Sequence, residues 1–345
     1  LEIAANPLVS VVIVNWNGER FLRQCLDSLK AQTFVDFEII VVDNGSVDGS
    51  VALLETSYRD MVRLMKNGKN LGFAEGNNQG IAASRGEYVA TLNTDTVADR
   101  NWLHELVRVV ESAQDIGMVG SKILLIDTPG AIDSVGVNIY PDGMSRQRGR
   151  LEPDDGRYAE PEEILLPSAC AALYRKAMLD EIGLFDAAFF AYCEDTDLGL
   201  RGRLAGWKAM LAPAAIVHHH YSGTAGKVSP FKAYYVERNH FWIALKTMPA
   251  GMLVMVPFYT VLRLLVLCRD MVTVTVGKRS VGSVRLQKRE LFFAVLMAYL
   301  ASATGVPGML KKRAVIRSLK KVRDNEFRGW FRRFRLNVGE LRIDL

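Results

Sequence analysis

Residues 9–50 read VSVVIVNWNGERFLRQCLDSLKAQTFVDFEIIVVDNGSVDGS. Two runs rich in β-branched residues, Val9–Val14 and Phe37–Val42, flank Phe21, Leu22, Cys25, Leu26 and Leu29, which recur at helical spacing. Strand, helix and strand at this interval form a unit whose two strands run parallel. The rhythm continues outward. Val62–Met65 and Tyr88–Leu92 are further short apolar runs, and Phe73–Ala83 and Trp102–Val110 have helical periodicity. The pattern predicts an α/β fold with a mostly parallel sheet covered by helices on both faces.

In such sheets ligands sit beyond the carboxyl ends of the strands. The four runs are followed by Asn15-Trp16-Asn17-Gly18, Asp43-Asn44-Gly45-Ser46, Asn67 to Gly72, and Asn93-Thr94-Asp95. Turns are rich in Gly, Asn and Asp for conformational reasons, so any one of these loops reads as a turn. Four of them, each directly after a buried run, favour a ligand site. A carboxylate at Asp95 has the chemistry to hold a hard cation, and Mg²⁺ or Mn²⁺ is commonly bound by one or two carboxylates plus substrate phosphates. The competing role is a cap on the following helix, by Asp95 or Asp99.

Further along, residues 141–167 are rich in Pro, Gly and charge and read as a mobile loop or crossover. Glu194-Asp195-Thr196-Asp197 then crowds three carboxylates before an apolar helical run. Repulsion makes that costly unless a cation or a catalytic task offsets it, although a helix N-terminus also stabilises such charge. His218-His219-His220 follows Ile216-Val217. Alternation along a strand turns His219 away from its two neighbours, and one imidazole is expected to join Asp95 on a metal. A surface histidine cluster is the plainer alternative.

Charge divides the chain. The formal net charge is +5, from 43 Lys and Arg against 38 Asp and Glu. Residues 226–345 hold 23 basic and 7 acidic residues, a net of +16, which leaves 20 and 31 in residues 1–225, a net of −11. A basic rear part suits phosphate-rich partners. Cys25, Cys170, Cys193 and Cys268 show no CxxC spacing, which excludes a disulfide scaffold and a cysteine-based zinc site and suits a reducing cytosol. No GxGxxG follows the first run, and no P-loop, HExxH or GxSxG is present, which disfavours dinucleotide oxidoreductases, P-loop NTPases and common hydrolases.

Taken together, VSVVIVNWNGERFLRQCLDSLKAQT (9–33), VVDNGSVDGS (41–50), NLGFAEGNNQGI (70–81), LNTDT (92–96), FFAYCEDTDLGLRGRLAGW (189–207) and YYVERNHFWIALK (234–246) resemble the family 2 glycosyltransferases of the GT-A fold, nearest the bacterial rhamnosyltransferase-like branch. The resemblance covers residues 8–245. It implies a catalytic domain over 1–245, with nucleotide-sugar binding in about 8–120 and acceptor and base functions in about 121–245. Asp43 would bond the nucleobase imide, and Asn15 and Asn17 would line base and ribose. Asn70, Gly72 and Asn77 would approach the nucleoside and its phosphates. Asn93-Thr94-Asp95 matches the DxD motif with Asn93 in the first place, so Asp95 is the main metal carboxylate. Asp195, paired with Glu194, matches the catalytic base. His219 matches a further metal ligand, ambiguous by one position among the three histidines. Arg238 would reach the donor diphosphate. The implied activity is inverting, Mg²⁺- or Mn²⁺-dependent transfer of a sugar to a glycan or polyprenyl-lipid-linked acceptor in cell-surface polysaccharide synthesis. The branch implies dTDP-L-rhamnose as donor, with UDP- and GDP-sugars open.

Residues 246–345 read as a basic, apolar helical region that associates with membrane. Thr247–Leu262 and Leu291–Leu310 are uncharged, but the first contains Pro249 and Pro257, and the second contains Ser302, Thr304, Gly305, Pro307 and Gly308. They are expected to pack on the catalytic domain or lie in the interface, with a single span the lesser alternative. Lys288 and Arg289 precede the second run, and Lys311, Lys312 and Arg313 follow it. Phe327, Trp330, Phe331 and Phe334 fall on one helical face bordered by Arg328, Arg332, Arg333 and Arg335. That stripe is expected to anchor the chain in an anionic membrane surface, against the alternative that the aromatics pack in the protein's own core. The expected location is the cytoplasmic face of the bacterial inner membrane, peripheral or monotopic. Nucleic acid ranks low, because no recognition motif accompanies the charge. Two other functions compete: a sugar nucleotidyltransferase, whose Gly-rich basic opening loop is missing after Val14, and an inactive membrane-bound sugar-nucleotide binding module, against which Asp95 and Asp195 argue. A processive synthase is disfavoured because QxxRW is absent.

Overall fold

The structure is a computed structural model that describes residues 6–220, 229–277 and 283–341, without the side chains of 267–268 and 270–288; Cys268 and Lys288 therefore lie outside it. The chain forms two compact units. The first comprises residues 1–137 and 147–224, and the second comprises 138–146 and 225–345. The division thus falls before residue 245 and carries a short internal segment into the second unit.

The first unit alternates as β1 (Val9–Asn15), α1 (Glu19–Lys30), β2 (Phe37–Asp43), α2 (Ser50–Ser57), β3 (Arg63–Lys66), α3 (Phe73–Ala83), β4 (Tyr88–Leu92), β5 (Thr96–Ala98) and α4 (Trp102–Val110). Then follow β6 (Ile116–Leu125), β7 (Ile132–Ser134), β8 (Val137–Ile139), β9 (Ser145–Gln147), β10 (Glu162–Ile164), β11 (Ala171–Arg175), α5 (Lys176–Ile182), α6 (Glu194–Leu204) and β12 (Lys208–His219), of which β8 and β9 lie mostly in the 138–146 segment of the second unit. The main sheet runs β10-β12-β6-β11-β4-β1-β2-β3. Strands β12, β6, β4, β1, β2 and β3 share one direction, while β11 and β10 oppose it. The expected parallel sheet is present, with one antiparallel strand set into its middle.

Both faces are covered, which explains why β1 and β2 are apolar almost throughout. Val9, Val11 and Ile13 join Leu22, Cys25, Leu26 and Leu29 of α1 in one core. Val12 faces the other core, with Ala74 and Ile81 of α3. Gly76 and Gly80 let α3 lie directly on β1: a Cβ there would come within 2.8 Å of Val14 and 2.3 Å of Val12. Of the two readings of 141–167, a mobile loop or a crossover, the structure shows a connection built of short strands. β8 and β9 form a two-stranded ribbon, and β10 pairs with β12 on the main sheet. Turn-forming residues mark the bends of this segment, and the bends lie between short strands.

In the second unit, α7 (Pro230–Thr247), α8 (Ala250–Leu253), α9 (Val256–Gly277), α10 (Ser283–Leu319) and α11 (Asp324–Arg333) surround the turn at 138–146. A buried guanidinium holds them. Arg263 of α9 is 1% exposed. Its Nε donates to Asp142 at 2.7 Å, and Nη1 and Nη2 donate to the two oxygens of Glu237 at 2.7 and 2.9 Å. Tyr299 of α10 donates to Glu237 at 3.1 Å. Burial pushes the Glu237 carboxyl up, but the hydrogen bonds and charge of Arg263 outweigh it and hold the pKa at about 2. Three segments thereby meet on one cation, and α10 joins them through Glu237.

The aromatic stripe of α11 does not face outward. Phe327, Trp330 and Phe334 are buried, and Phe327 packs on Trp330 with ring centroids 5.1 Å apart. The expectation that this stripe anchors the chain in a membrane is overturned: its apolar face is spent on the protein's own core, and the arginines beside it mark the solvent side. Asp142→Ala is expected to destabilise the second unit by about 3–5 kcal/mol, because it leaves a buried charge network short of one partner. Urea unfolding of the full chain measures this, and a loss below about 1 kcal/mol would show that the network is dispensable.

Candidate active site

The predicted donor loops meet at the carboxyl ends of β1 and β2. Asn15 donates to Asp43 at 2.8 Å and to Ser46 at 3.0 Å. The backbone N–H of Asn17 donates to Ser46 Oγ at 2.9 Å, while its side chain accepts from Val47 N at 2.9 Å. Asp43 is 1% exposed. Its oxygens accept from Gly45 N, Ser46 N, Ser46 Oγ and Asn15 Nδ2. A carboxylate has about four acceptor positions, and Asp43 uses them here to shape its own loop and hold Asn15. Trp16, between the two asparagines, is 45% exposed. Its signal in the sequence was a large aromatic inside an otherwise polar loop.

The third loop turns on Asn70, whose Oδ1 accepts from Gly72 N at 2.8 Å. Gly72 has φ of +88°, and a Cβ there would sit 2.5 Å from the carbonyl oxygen of Phe190. Asn77 points back into α3, where it donates to Phe73 O at 2.9 Å. Its amide is thus used within the helix.

The fourth loop brings Asp95 to His219. β5 pairs antiparallel with β12 so that Thr96 lies opposite His219, and His220 N donates to Asp95 O at 2.9 Å. His219 Nε2 is 3.4 Å from Asp95 Oδ1, and Nδ1 is 2.6 Å from Asp133 Oδ2. Arg150 pairs with the other oxygen of Asp133. The neighbouring histidines face elsewhere, His218 toward Asp99 at 3.5 Å and His220 toward Asp127 at 3.8 Å. The register therefore singles out His219. Burial disfavours a charged ring, but Cys170, Asp133 and Asp95 outweigh it and hold the His219 pKa well above its usual value. A ring held by a carboxylate on Nδ1, with Nε2 toward a second carboxylate, is the arrangement metal-binding histidines adopt. The donor set fits a hard divalent cation that draws its remaining oxygens from substrate. Among the described residues no group of three or more His, Cys, Asp and Glu encloses a metal by itself. Asp133 and Arg150 escaped sequence reading because they lie in the stretch around the short β7–β9 strands.

Glu194 and Asp195 open α6. Asp195 accepts from Ala169 N at 3.2 Å and from Thr196 N at 2.7 Å, yet burial still raises its pKa. Glu194 is 6% exposed and its Oε2 has no hydrogen-bond partner among the described residues. Burial, then the Asp195 charge, push its pKa to about 8. The third carboxylate, Asp197, is separate: it holds Arg201 at 2.9 Å, and Arg201 in turn caps Ile182 O and Leu184 O. The loop before α6 is strained. Phe190, Tyr192 and Cys193 have φ of 65°, 66° and 67°, conformations that cost non-glycine residues of order 1–3 kcal/mol each and cluster at functional sites. Asn93, at the end of β4, keeps Oδ1 buried without a partner. Arg238 belongs to the second unit, where its guanidinium lies 4.3 Å from the Trp242 ring centroid.

Residues 10–183 match the family model described as glycosyl transferase family 2. The chain belongs to this family. Relatives of the family 2 chain include the N-acetylglucosaminyl-diphospho-decaprenol L-rhamnosyltransferase of Mycobacterium tuberculosis, 28% identical over 64% of this chain and 78% of that one. Its fold is similar to GalNAc-T7 solved with UDP, GalNAc and Mn²⁺, with TM-score 0.57, 18% identity, and coverage of 70% of this chain and 48% of that one. It is also similar to a mannosyltransferase from Pyrobaculum calidifontis solved with GDP-Man and Mn²⁺, with TM-score 0.51, 13% identity, and coverage of 98% and 84%. These similarities bear out the GT-A fold. The chain spans 25% to 40% of the length of the first curated relatives it matches.

Folding lifts the Glu194 pKa from 4.5 to about 8. The folded chain therefore keeps a proton that the unfolded chain releases, and stability falls as pH rises between those values. Glu194→Gln is expected to melt higher than the parent at pH 8 and at nearly the same temperature at pH 4. Calorimetry at the two pH values checks this; a lower melting temperature at pH 8 would mean that the carboxylate is charged and favourably held.

Proposed function

We propose that this family 2 chain is an inverting, metal-dependent glycosyltransferase that moves a sugar from a nucleotide donor to a glycan or lipid-linked acceptor in cell-surface polysaccharide synthesis. The observation that carries the reading is the pair of carboxylate centres in one unit, Asp95 with His219 and Asp195 with Glu194. Ala169 donates to Asp195, and Cys170 O accepts from Asn93 N, so one dipeptide bonds both to Asp195 and to the loop that carries Asp95. Asp95 and His219 would hold the divalent cation, which when bound neutralises charge on a departing diphosphate. Asp195 takes the proton of the acceptor hydroxyl as its oxygen bonds to the anomeric carbon. The bond from that carbon to the diphosphate oxygen breaks, and its electron pair leaves with the diphosphate. Attack opposite the leaving group inverts the anomeric centre, with no covalent intermediate.

The loops assign the donor's parts. Trp16 offers an exposed indole to a nucleobase, and Asp43, in the loop beside it, is proposed to bond the nucleobase imide. The Asn70–Gly72 turn presents backbone to the nucleoside and phosphates, with Asn15, Asn17, Asn77 and Asn93 as supporting amides. Arg238 is proposed to reach the diphosphate. The named mycobacterial relative supports L-rhamnose as the sugar; dTDP is the nucleotide proposed to carry it, and UDP- or GDP-sugars share the same requirements. That relative's decaprenol-linked substrate supports a polyprenyl-linked acceptor, met by the basic second unit at an anionic membrane surface on the cytoplasmic side.

Asp195→Asn is expected to cut sugar transfer by about 10²–10⁴-fold while donor affinity stays within about twofold of the parent. Diphosphate release across a panel of sugar nucleotides measures the first, and calorimetric titration of the donor measures the second; loss of donor affinity with the fold intact would remove Asp195 as base. Asp133→Asn is expected to weaken Mn²⁺ binding by about 10–100-fold, read by electron paramagnetic resonance of free Mn²⁺. Unchanged Mn²⁺ affinity would show that His219 needs no orienting carboxylate.

A further inference from the structure

The second unit carries an apolar surface that its core does not use. On α10, Phe292, Phe293, Leu296, Met297, Leu300 and Leu310 are exposed, and their spacing places them along one side of the helix. On α9, Phe258, Val261 and Leu265 are exposed with the same periodicity. By length and composition α10 passes as a membrane span over Arg289–Leu319. Its other side argues against crossing. Ala298, Ser302 and Met309 are buried. Trp242 of α7 donates to Ser302 O at 3.1 Å, and a Cβ on Gly305 would fall 2.4 Å from the Trp242 ring. Arg313 donates to Leu245 O at 2.8 Å. Helix α10 is thus seamed to α7, which carries Lys232, Glu237, Arg238, Asn239, His240 and Lys246. To span, α10 would have to break this seam or draw that polar helix into hydrocarbon, which is costly.

We propose that α9 and α10 seat this chain in one leaflet of an anionic bilayer, lying in the plane of the membrane with their exposed rows in the acyl layer. Charge selects lipid over a second copy. Arg289 stands at one end of the α10 row, packed 5.6 Å from the Phe293 ring centroid. Lys311 and Arg317 stand at the other, and Lys321, Arg323 and Arg328 follow, all exposed. A cationic rim around an apolar strip matches an interfacial helix on anionic headgroups, whereas two copies face to face would set like charges together. The inference rests on the membrane contact named in the proposed function but not on the transfer chemistry, so loss of flotation with diphosphate release intact bears on the membrane contact alone.

The test uses the full chain with vesicles of phosphatidylcholine alone or with phosphatidylglycerol added. The parent is expected to float with the anionic vesicles and poorly with the neutral ones. The paired variants Leu296→Glu with Leu300→Glu, and Val261→Glu with Leu265→Glu, are each expected to lose flotation by on the order of tenfold or more while keeping the parent's melting temperature and diphosphate release in detergent. Undiminished flotation of both variants would overturn the proposal, as would a parent dimer that either variant converts to monomer. Nitroxides at Phe292→Cys, Leu300→Cys and Leu310→Cys, each in the otherwise unchanged surface, decide the remaining point even if a glutamate variant misfolds. Equal shallow depths are expected; a label at the bilayer midplane between two at opposite surfaces would show a span and overturn the claim.

Discussion

The active unit depends on one strand running against its neighbours. β11 sits between β4 and β6 and opposes both. Its start therefore lies at the sheet edge where the parallel strands end. Cys170, just before it, receives the N–H of Asn93 through its carbonyl, and Ala169 sends its own N–H to Asp195. A further parallel strand at this place would have delivered its end, not its beginning, and the following chain would leave the site at once. The antiparallel setting instead fixes Asn93, two residues before Asp95, and Asp195 by backbone hydrogen bonds to adjacent residues. Donor loops reach the same framework from the other side, since Ala74 N donates to Phe190 O at 3.2 Å in the strained loop before α6.

The two units treat buried carboxylates in opposite ways. In the helical unit, Glu237 and Asp142 share Arg263, so charge is met by charge and the result is cohesion. In the sheet unit, Glu194 keeps an oxygen with no hydrogen-bond partner among the described residues and is pushed toward neutrality. Desolvation is offset in the first case and left standing in the second. In the proposed function the unoffset pair takes the acceptor's proton, and burial, by raising the Asp195 pKa, lets it accept a proton more readily than an ordinary aspartate.

How much of this was legible in the sequence follows from the range of each determinant. β1, α1 and β2 are written in local periodicity, since Val9–Val14 and Leu22–Leu29 each declare a buried face within a few residues. The four loops were legible for the same reason, each adjoining its strand. The choice of His219 over its neighbours was not, because it rests on the register of β12 against β5, a pairing between segments far apart in the chain. Asp133 and Arg150 were hidden likewise. The α11 stripe shows a different limit: Phe327, Trp330 and Phe334 give the same pattern whether lipid or protein lies opposite. The loop role of Asp43 was equally undecidable, since one carboxylate serves a ligand or its own turn with the same residue type.

The insertion of residues 138–146 into the helical unit bears on how the chain is made. Asp142 leaves the ribosome well over a hundred residues before Arg263, its partner. At translation rates of about 5–20 residues per second the interval is on the order of 10 s. Throughout that interval the sheet unit can close, but Asp142, Tyr140 and Met144 stand without the helices that cover them. Synthesis thus imposes an order of assembly, with the sheet first and the turn waiting as the nucleus on which the later helices gather. A ribosome stall between these two points would display an apolar turn to the cell's chaperones.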